Sequence, residues 1–145
     1  MRKTKLPPGS PDDTEHAFYD ALQNGDLERL MACWADEDDI VCVHPGGPRL
    51  LGHEAIRATF EAMFANGSVM AMPEKLHRHD DGHCAVHSLV ERVAVLTDDG
   101  PQHAYVLATN VYVKTAQGWR LATHHASAGQ QEAPADVVSA PAVLH

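Results

Sequence analysis

Eleven of the 145 residues are histidine, the side chain whose ordinary pKa lies nearest neutrality and the commonest neutral metal ligand. Four of them, His77, His79, His83 and His87, flank Asp80-Asp81-Gly82, where a hairpin would bring them across from one another. Their spacing matches no closed zinc pattern and the nearby thiol is limited to Cys84, so no metal site is expected. His124 and His125 are adjacent in a strand-like run and must point to opposite faces. Of the two, His125, with Ser127 on its side, is placed in the interior. Asn110 stands between Thr109 and Val111 in an apolar run. A buried amide without partners costs about 1 to 3 kcal/mol, so Asn110 is expected to face a pocket. The chain has no Gly-x-Gly-x-x-Gly or phosphate loop, and Gly46-Gly47 is held between prolines. No serine sits in a nucleophile elbow, so neither a cofactor nor a Ser-His-Asp hydrolase is expected.

The elements that must position these groups follow from periodicity. Asp12 reads as an N-cap with Glu15 three residues on, and Phe18, Ala21 and Leu22 follow at helical spacing up to Gly25. Asp26 caps a second helix in which Leu27, Leu30, Met31 and Trp34 recur at i, i+3, i+4 and i+7. Ile40 to His44 is a short strand ended by Pro45-Gly46-Gly47-Pro48, and a third helix carries Ile56, Phe60, Met63 and Phe64 until Gly67. From Met70 the period becomes that of strands, with turns at Asp80-Asp81-Gly82, Asp98-Asp99-Gly100 and Gln117-Gly118. The reading is an α+β fold with an antiparallel meander of about four strands. Both faces of Ala104 to Val113 are apolar, whereas the helices can cover only one, so a homodimer through the sheet is expected. Residues 1–11 read as a disordered arm, 12–128 as the single domain and 129–145 as a loosely held tail.

Composition narrows the function classes. The formal charge is −9, with eleven Lys and Arg scattered among twenty acids, which disfavours nucleic acid. No apolar run reaches the roughly 20 residues that span a bilayer. The basic start Met1 to Lys5 is followed by Pro and Gly rather than an export stretch, and Cys33, Cys42 and Cys84 are odd in number with apolar neighbours. Together these point to a soluble cytoplasmic chain with reduced thiols.

Tyr19-x-Ala-Leu-x-x-Gly-Asp26, the run Trp34-Ala-Asp36 through His44-Pro45, Gly52-x-x-Ala55-Ile56 and Gly118-Trp119-Arg-Leu resemble the SnoaL-like and ketosteroid-isomerase-like proteins of the nuclear transport factor 2 superfamily. The closing His124-His125-Ala-Ser127 also resembles the association domain of calmodulin-dependent kinase, a non-catalytic relative. The resemblance covers roughly residues 12 to 128. It implies a cone-shaped, curved antiparallel sheet with the three N-terminal helices packed on its concave side, a cystatin-like α+β barrel around a small pocket. By the spacing of that family, Tyr19, His44 and Asn110 fall where ketosteroid isomerases carry a phenol donor, a carboxylate base and a protonated aspartate. That enzyme is the standard example of a neutral carboxylic acid donating to an oxyanion.

Phenol and amide are both donors, so the resemblance implies that Tyr19 and Asn110 hold an enolate-like oxygen while neutral His44 accepts a proton. Imidazole in place of the carboxylate argues against steroid isomerisation itself. Trp34, Phe60, Phe64, Tyr112 and His125 would form the ligand-binding wall. The expectation is therefore a pocket that binds a small, mainly apolar carbonyl compound and moves a proton on it. Its rival is a non-catalytic ligand-binding or oligomerisation module, which a pocket filled by Trp34, Phe60, Phe64 and Tyr112 would favour.

Overall fold

The computed structural model describes residues 9–139. Residues 1–8 of the expected arm and 140–145 of the expected tail lie outside them. Helix α1, Pro11–Asn24, is capped two residues earlier than its sequence pattern indicated, because Ser10 rather than Asp12 is the N-cap and accepts from the Asp13 amide at 3.1 Å. Proline suits the first helical position, where no intrahelical N–H bond is needed. The helix ends at Gly25, whose left-handed φ of 62° closes the turn. Helix α2, Leu27–Ala32, is capped by Asp26 as expected but stops before Trp34, which instead forms a bridge to Leu121. Helix α3 covers His53–Ala65.

Strands β1 (Val41–Val43) and β2 (Arg49–Leu51) flank the Pro45 to Pro48 turn. The sequence pattern did not reveal β2, since three residues are too few to establish a period. The meander comprises β3 (Ala71–Asp80), β4 (Cys84–Thr97), β5 (Gly100–Thr115) and β6 (Gly118–Ala126), with turns where the Asp-Gly and Gln-Gly signals stand. One curved six-stranded sheet results, in the order β2-β1-β6-β5-β4-β3; β1 and β6 are parallel and every other pair is antiparallel. Helices cover one face and build the core against it, with Phe18, Leu30, Ile56 and Phe60 facing Leu89, Ala108 and Leu121. Among the described residues no helix is long and apolar enough to cross a membrane.

Strand alternation decides what enters that core. Ala85, His87, Leu89 and Glu91 of β4 point inward, as do Val106, Ala108, Asn110 and Tyr112 of β5. On β6 the inward set begins as Trp119 and Leu121 but continues as His124 and Ala126. The switch is a β-bulge: Tyr112 pairs with Leu121 and Val111 with Thr123, leaving Ala122 as an extra residue.

The tail does not simply leave the domain. Gln130 and Tyr105 exchange both backbone hydrogen bonds, at 2.7 and 2.8 Å, and Ala135 to Val138 lie beside His77 and Ser88 on the face away from the helices.

Candidate functional site

Glu15 and Tyr19 are four residues apart on α1 and so share its sheet-facing side. Opposite them, cross-strand register aligns His87 with Asn110 and Asn110 with His124 in one row. These five side chains, with Glu91 and Tyr112, form a buried polar network inside an otherwise apolar core.

Two carboxylates anchor it. One oxygen of Glu15 accepts from the Tyr112 hydroxyl at 2.7 Å, from His87 Nδ1 at 2.9 Å and from Asn110 Nδ2 at 3.4 Å. Tyr19 donates its hydroxyl to Glu91 Oε2 at 2.7 Å and accepts from Asn110 Nδ2 at 3.0 Å. Asn110 is 0% exposed, and both of its amide hydrogens are therefore taken. Its oxygen faces His124 Nδ1 at 2.5 Å. The opposite amide orientation would aim that oxygen at the Glu15 carboxylate, so Nδ1 of His124 carries the hydrogen and Nε2 is the bare acceptor. Nε2 lies 3.9 Å from Glu91 Oε2.

Burial sets the protonation of this network. Removal from water pushes the Glu91 carboxyl up to about 7, helped by the charge of Glu15 and opposed by the Tyr19 hydrogen bond. Desolvation lowers His124 to about 4, with His125 adding to the shift and Glu15 countering it. The Tyr19 phenol is raised by burial and then by Glu91, and the Tyr112 phenol by burial and then by Glu15. Burial thus brings Glu91 into the range where a carboxyl exchanges a proton near neutrality.

An aromatic layer adjoins the network. The Phe18 ring touches Tyr19, Trp34, Phe60 and His124 at centroid distances of 5.2 to 6.4 Å, and Phe64 packs on Phe60 at 6.2 Å. Trp34 Nε1 is the one buried side-chain nitrogen or oxygen among the described residues without a hydrogen bond.

The site thus unites Tyr19, Asn110 and Tyr112, and sets Trp34, Phe60 and Phe64 beside them. His44 stands apart: it is half-buried, edge-on to Phe60 at 4.8 Å, 3.6 Å from the Cys42 sulfur, with its ring centroid 6.2 Å from that of His124. Burial and then His124 lower it to about 4. The placement of His125 inside is corrected. Counting alternately from Trp119 and Leu121 leads to His125, but the bulge at Ala122 reverses the parity, so His124 turns inward. His125 and Ser127 do share a face, the one away from the helices, where they line a 640 Å³ groove with Leu107, Thr109 and Thr123.

Sequence reasoning did not single out Glu15, Glu91 or His124 as site residues. Glu15 passed for a capping residue of the first turn, and the sign that it is buried comes only from the packing of α1. Glu91 had a legible signal, since a carboxylate in phase with Ala85, His87 and Leu89 occupies an inward position. Of the four hairpin histidines, His77, His79 and His83 are exposed, while His87 turns inward to Glu15. Among the described residues no group of three or more His, Cys, Asp or Glu side chains is placed to hold a metal ion.

The family model of the SnoaL-like domain matches residues 13–131. A Thiobacillus denitrificans protein, provisionally described as a calcium/calmodulin-dependent protein kinase type II association domain, is 32% identical. The match covers 88% of this chain and all of that one, with a TM-score of 0.76. A protein of the NTF2-like family from Streptomyces avermitilis, provisionally described as a dehydratase, is 30% identical over 79% of this chain and 90% of its own, with a TM-score of 0.70. The CaMKII hub of S. rosetta shares the fold at 20% identity and a TM-score of 0.66, over 86% of this chain and 100% of that chain. No curated protein matches the sequence. With the family model spanning most of the domain, the chain belongs to the SnoaL-like family of the NTF2 superfamily.

Proposed function

We propose that the helix-covered side of the sheet binds a small, mainly apolar carbonyl compound and moves a proton on it, with Glu91 as the proton-carrying group. The observation that carries this reading is the Tyr19 to Glu91 hydrogen bond of 2.7 Å, deep in the core, on a carboxyl pushed up to about 7. An acid that titrates near neutrality can both give and take a proton there. Tyr19 supplies the hydrogen bond that fixes the Glu91 carboxyl, which carries the proton toward a ligand oxygen. Asn110 has no hydrogen left for a ligand, so its part is to align Tyr19 and His124. His44, held neutral down to about pH 4, supplies an acceptor beside Phe60 for a proton leaving a ligand carbon.

The test is hydrogen–deuterium exchange at the carbons next to the carbonyl of cyclohexanone, followed by NMR. Wild-type protein is expected to accelerate exchange over buffer, and Glu91→Gln and His44→Ala are each expected to abolish most of that acceleration. Exchange at the buffer rate with wild-type protein, or full acceleration surviving in Glu91→Gln, contradicts the reading.

A second reading, assembly of copies through the uncovered sheet face, is favoured by one specific observation. Leu107, 46% exposed, lies in the groove of that face with Thr123 and His125. The two readings concern opposite faces of one sheet and are compatible.

A further inference from the structure

The hydrogen-bond inventory of the network says which of its atoms are left for a ligand. Glu15 Oε2 holds three donors, and Asn110 uses both amide hydrogens and its oxygen. The Tyr19 hydroxyl donates to Glu91 and accepts from Asn110. Besides the second oxygen of Glu15 and Nε2 of His87, which lies 3.7 Å from Asp12, two neighbouring groups remain incomplete: Glu91, which has one oxygen beyond the Tyr19 bond, and His124, whose Nε2 is a bare acceptor. Neither side chain is wholly sealed, with 7% and 5% of their surfaces accessible. Nε2 of His124 stands 3.9 Å from Oε2 of Glu91, the oxygen that also accepts from Tyr19, too far to bond it and close enough for one ligand oxygen to reach both at ordinary hydrogen-bond length.

We propose that Glu91 and His124 together hold a hydroxyl group of the ligand, which accepts a hydrogen bond from the Glu91 carboxyl and donates its own hydrogen to Nε2 of His124. A carbonyl oxygen satisfies only the first of these contacts, because it has no hydrogen for the imidazole. An ammonium group has hydrogens but no lone pair for a protonated carboxyl. The arrangement therefore selects an alcohol, or the enol form of a carbonyl compound over its keto form. A carboxyl near its midpoint at neutral pH and an imidazole kept neutral by burial suit these two roles. The inference rests on the reading of the network as a ligand site and adds the class of group that it recognises.

The experiment uses the full wild-type chain and three probes of one ring size: cyclohexanol, cyclohexanone and cyclohexylamine. Binding is followed by the histidine side-chain 15N resonances and the glutamate carboxyl 13C resonances. Cyclohexanol is expected to bind about tenfold more tightly than cyclohexanone, the size of effect one hydrogen bond supplies, and to move His124 Nε2 and Glu91 while leaving His125 in place. Equal affinity for alcohol and ketone, with Glu91 moving and His124 Nε2 unmoved, overturns the hydroxyl assignment and leaves the ligand site standing. Preference for the amine overturns it in favour of a cationic ligand. If none of the probes moves Glu91 or His124 at tens of millimolar, the ligand-site reading falls and this inference falls with it.

Discussion

Tyr19 of the first helix and Glu91 of β4, 72 residues apart in the chain, meet at 2.7 Å. The hydroxyl steadies the carboxylate form of Glu91 and so restrains the rise that burial imposes on it. Tyr19→Phe removes that donor and leaves an Asn110 hydrogen without its 3.0 Å acceptor. We expect the Glu91 titration, followed by carboxyl 13C shifts, to move further above about 7, and stability in urea to drop by about 1 to 3 kcal/mol. A Glu91 titration that moves downward in this variant means that the bond does not act on the carboxyl in this way.

Glu91→Gln isolates the titration of that group. The folded-state pKa is raised from 4.5 to about 7, so from pH 4.5 to 7 the native chain keeps a proton that the unfolded chain has released. Wild type therefore loses stability through this group as pH climbs across that window and loses no more above it. The neutral amide keeps an acceptor for Tyr19 and has no such loss. The stability of Glu91→Gln relative to wild type is expected to climb by about 3 kcal/mol across the window, a shift of roughly 2.5 units, and to level off above pH 7. Urea unfolding at half-unit pH intervals measures it, and a difference independent of pH refutes it.

These two carboxyl experiments show where sequence reading reaches its limit. The helices, the meander and its three turns were legible because each repeats a local signal over many residues. Family spacing named Tyr19 and Asn110 together and strand phase set Tyr112 on the side of Asn110, and the three side chains do meet around Glu15 and one another. His125 was misplaced by a single bulged residue, Ala122, which no local pattern announces. Glu15 is buried only because β4 and β5 deliver His87, Asn110 and Tyr112 to its carboxylate, a long-range arrangement with no trace in the neighbourhood of residue 15. The short strand β2 exists through its pairing with β1 and not through its own three residues.

Glu15 carries three donors on one oxygen and adds its charge to the forces that raise Glu91. Glu15→Gln keeps the volume but removes the charge, so the Glu91 titration should move downward, opposite in sign to the effect of Tyr19→Phe. Stability should fall by about 1 to 3 kcal/mol, because an amide nitrogen or oxygen is a poorer match for three converging donors. Opposite signs in the two variants, read by the same carboxyl resonance, separate charge from hydrogen bonding. The same sign in both contradicts the assigned causes.

The neighbouring histidines provide a contrast between buried and exposed imidazoles. His124→Ala strands the Asn110 oxygen and leaves a void beside Phe18, at a cost of about 2 to 4 kcal/mol. His125→Ala, on the open face, should stay within about 0.5 kcal/mol of wild type. His124 and His44 are both held near 4 against an ordinary 6.5, so the unfolded chain takes up their protons first on acidification. Their contribution is complete above about pH 6.5 and is lost as pH falls toward 4. Urea midpoints for the two variants at pH 7 and pH 5 check all of this, and equal losses for His124→Ala and His125→Ala contradict it.

The face away from the helices makes a prediction about assembly that is independent of the buried network. Leu107 projects from the middle of β5, opposite Val90 of β4, into the 640 Å³ groove that Ser88 and Thr123 also line, and it is 46% exposed among the described residues. A second copy placed on this patch would bury Leu107 against apolar surface, whereas a charge there would have to be desolvated without a partner. Wild-type protein is therefore expected to sediment as a dimer, and Leu107→Glu as a monomer whose far-ultraviolet circular dichroism matches wild type. Thr109→Glu, two residues along the same face, should act in the same direction. A wild-type monomer at 100 μM rules out assembly through this face. A dimer that persists unchanged in both variants places the contact elsewhere, and with helices on the other face of the sheet the remaining sites would be the edge strands β2 and β3.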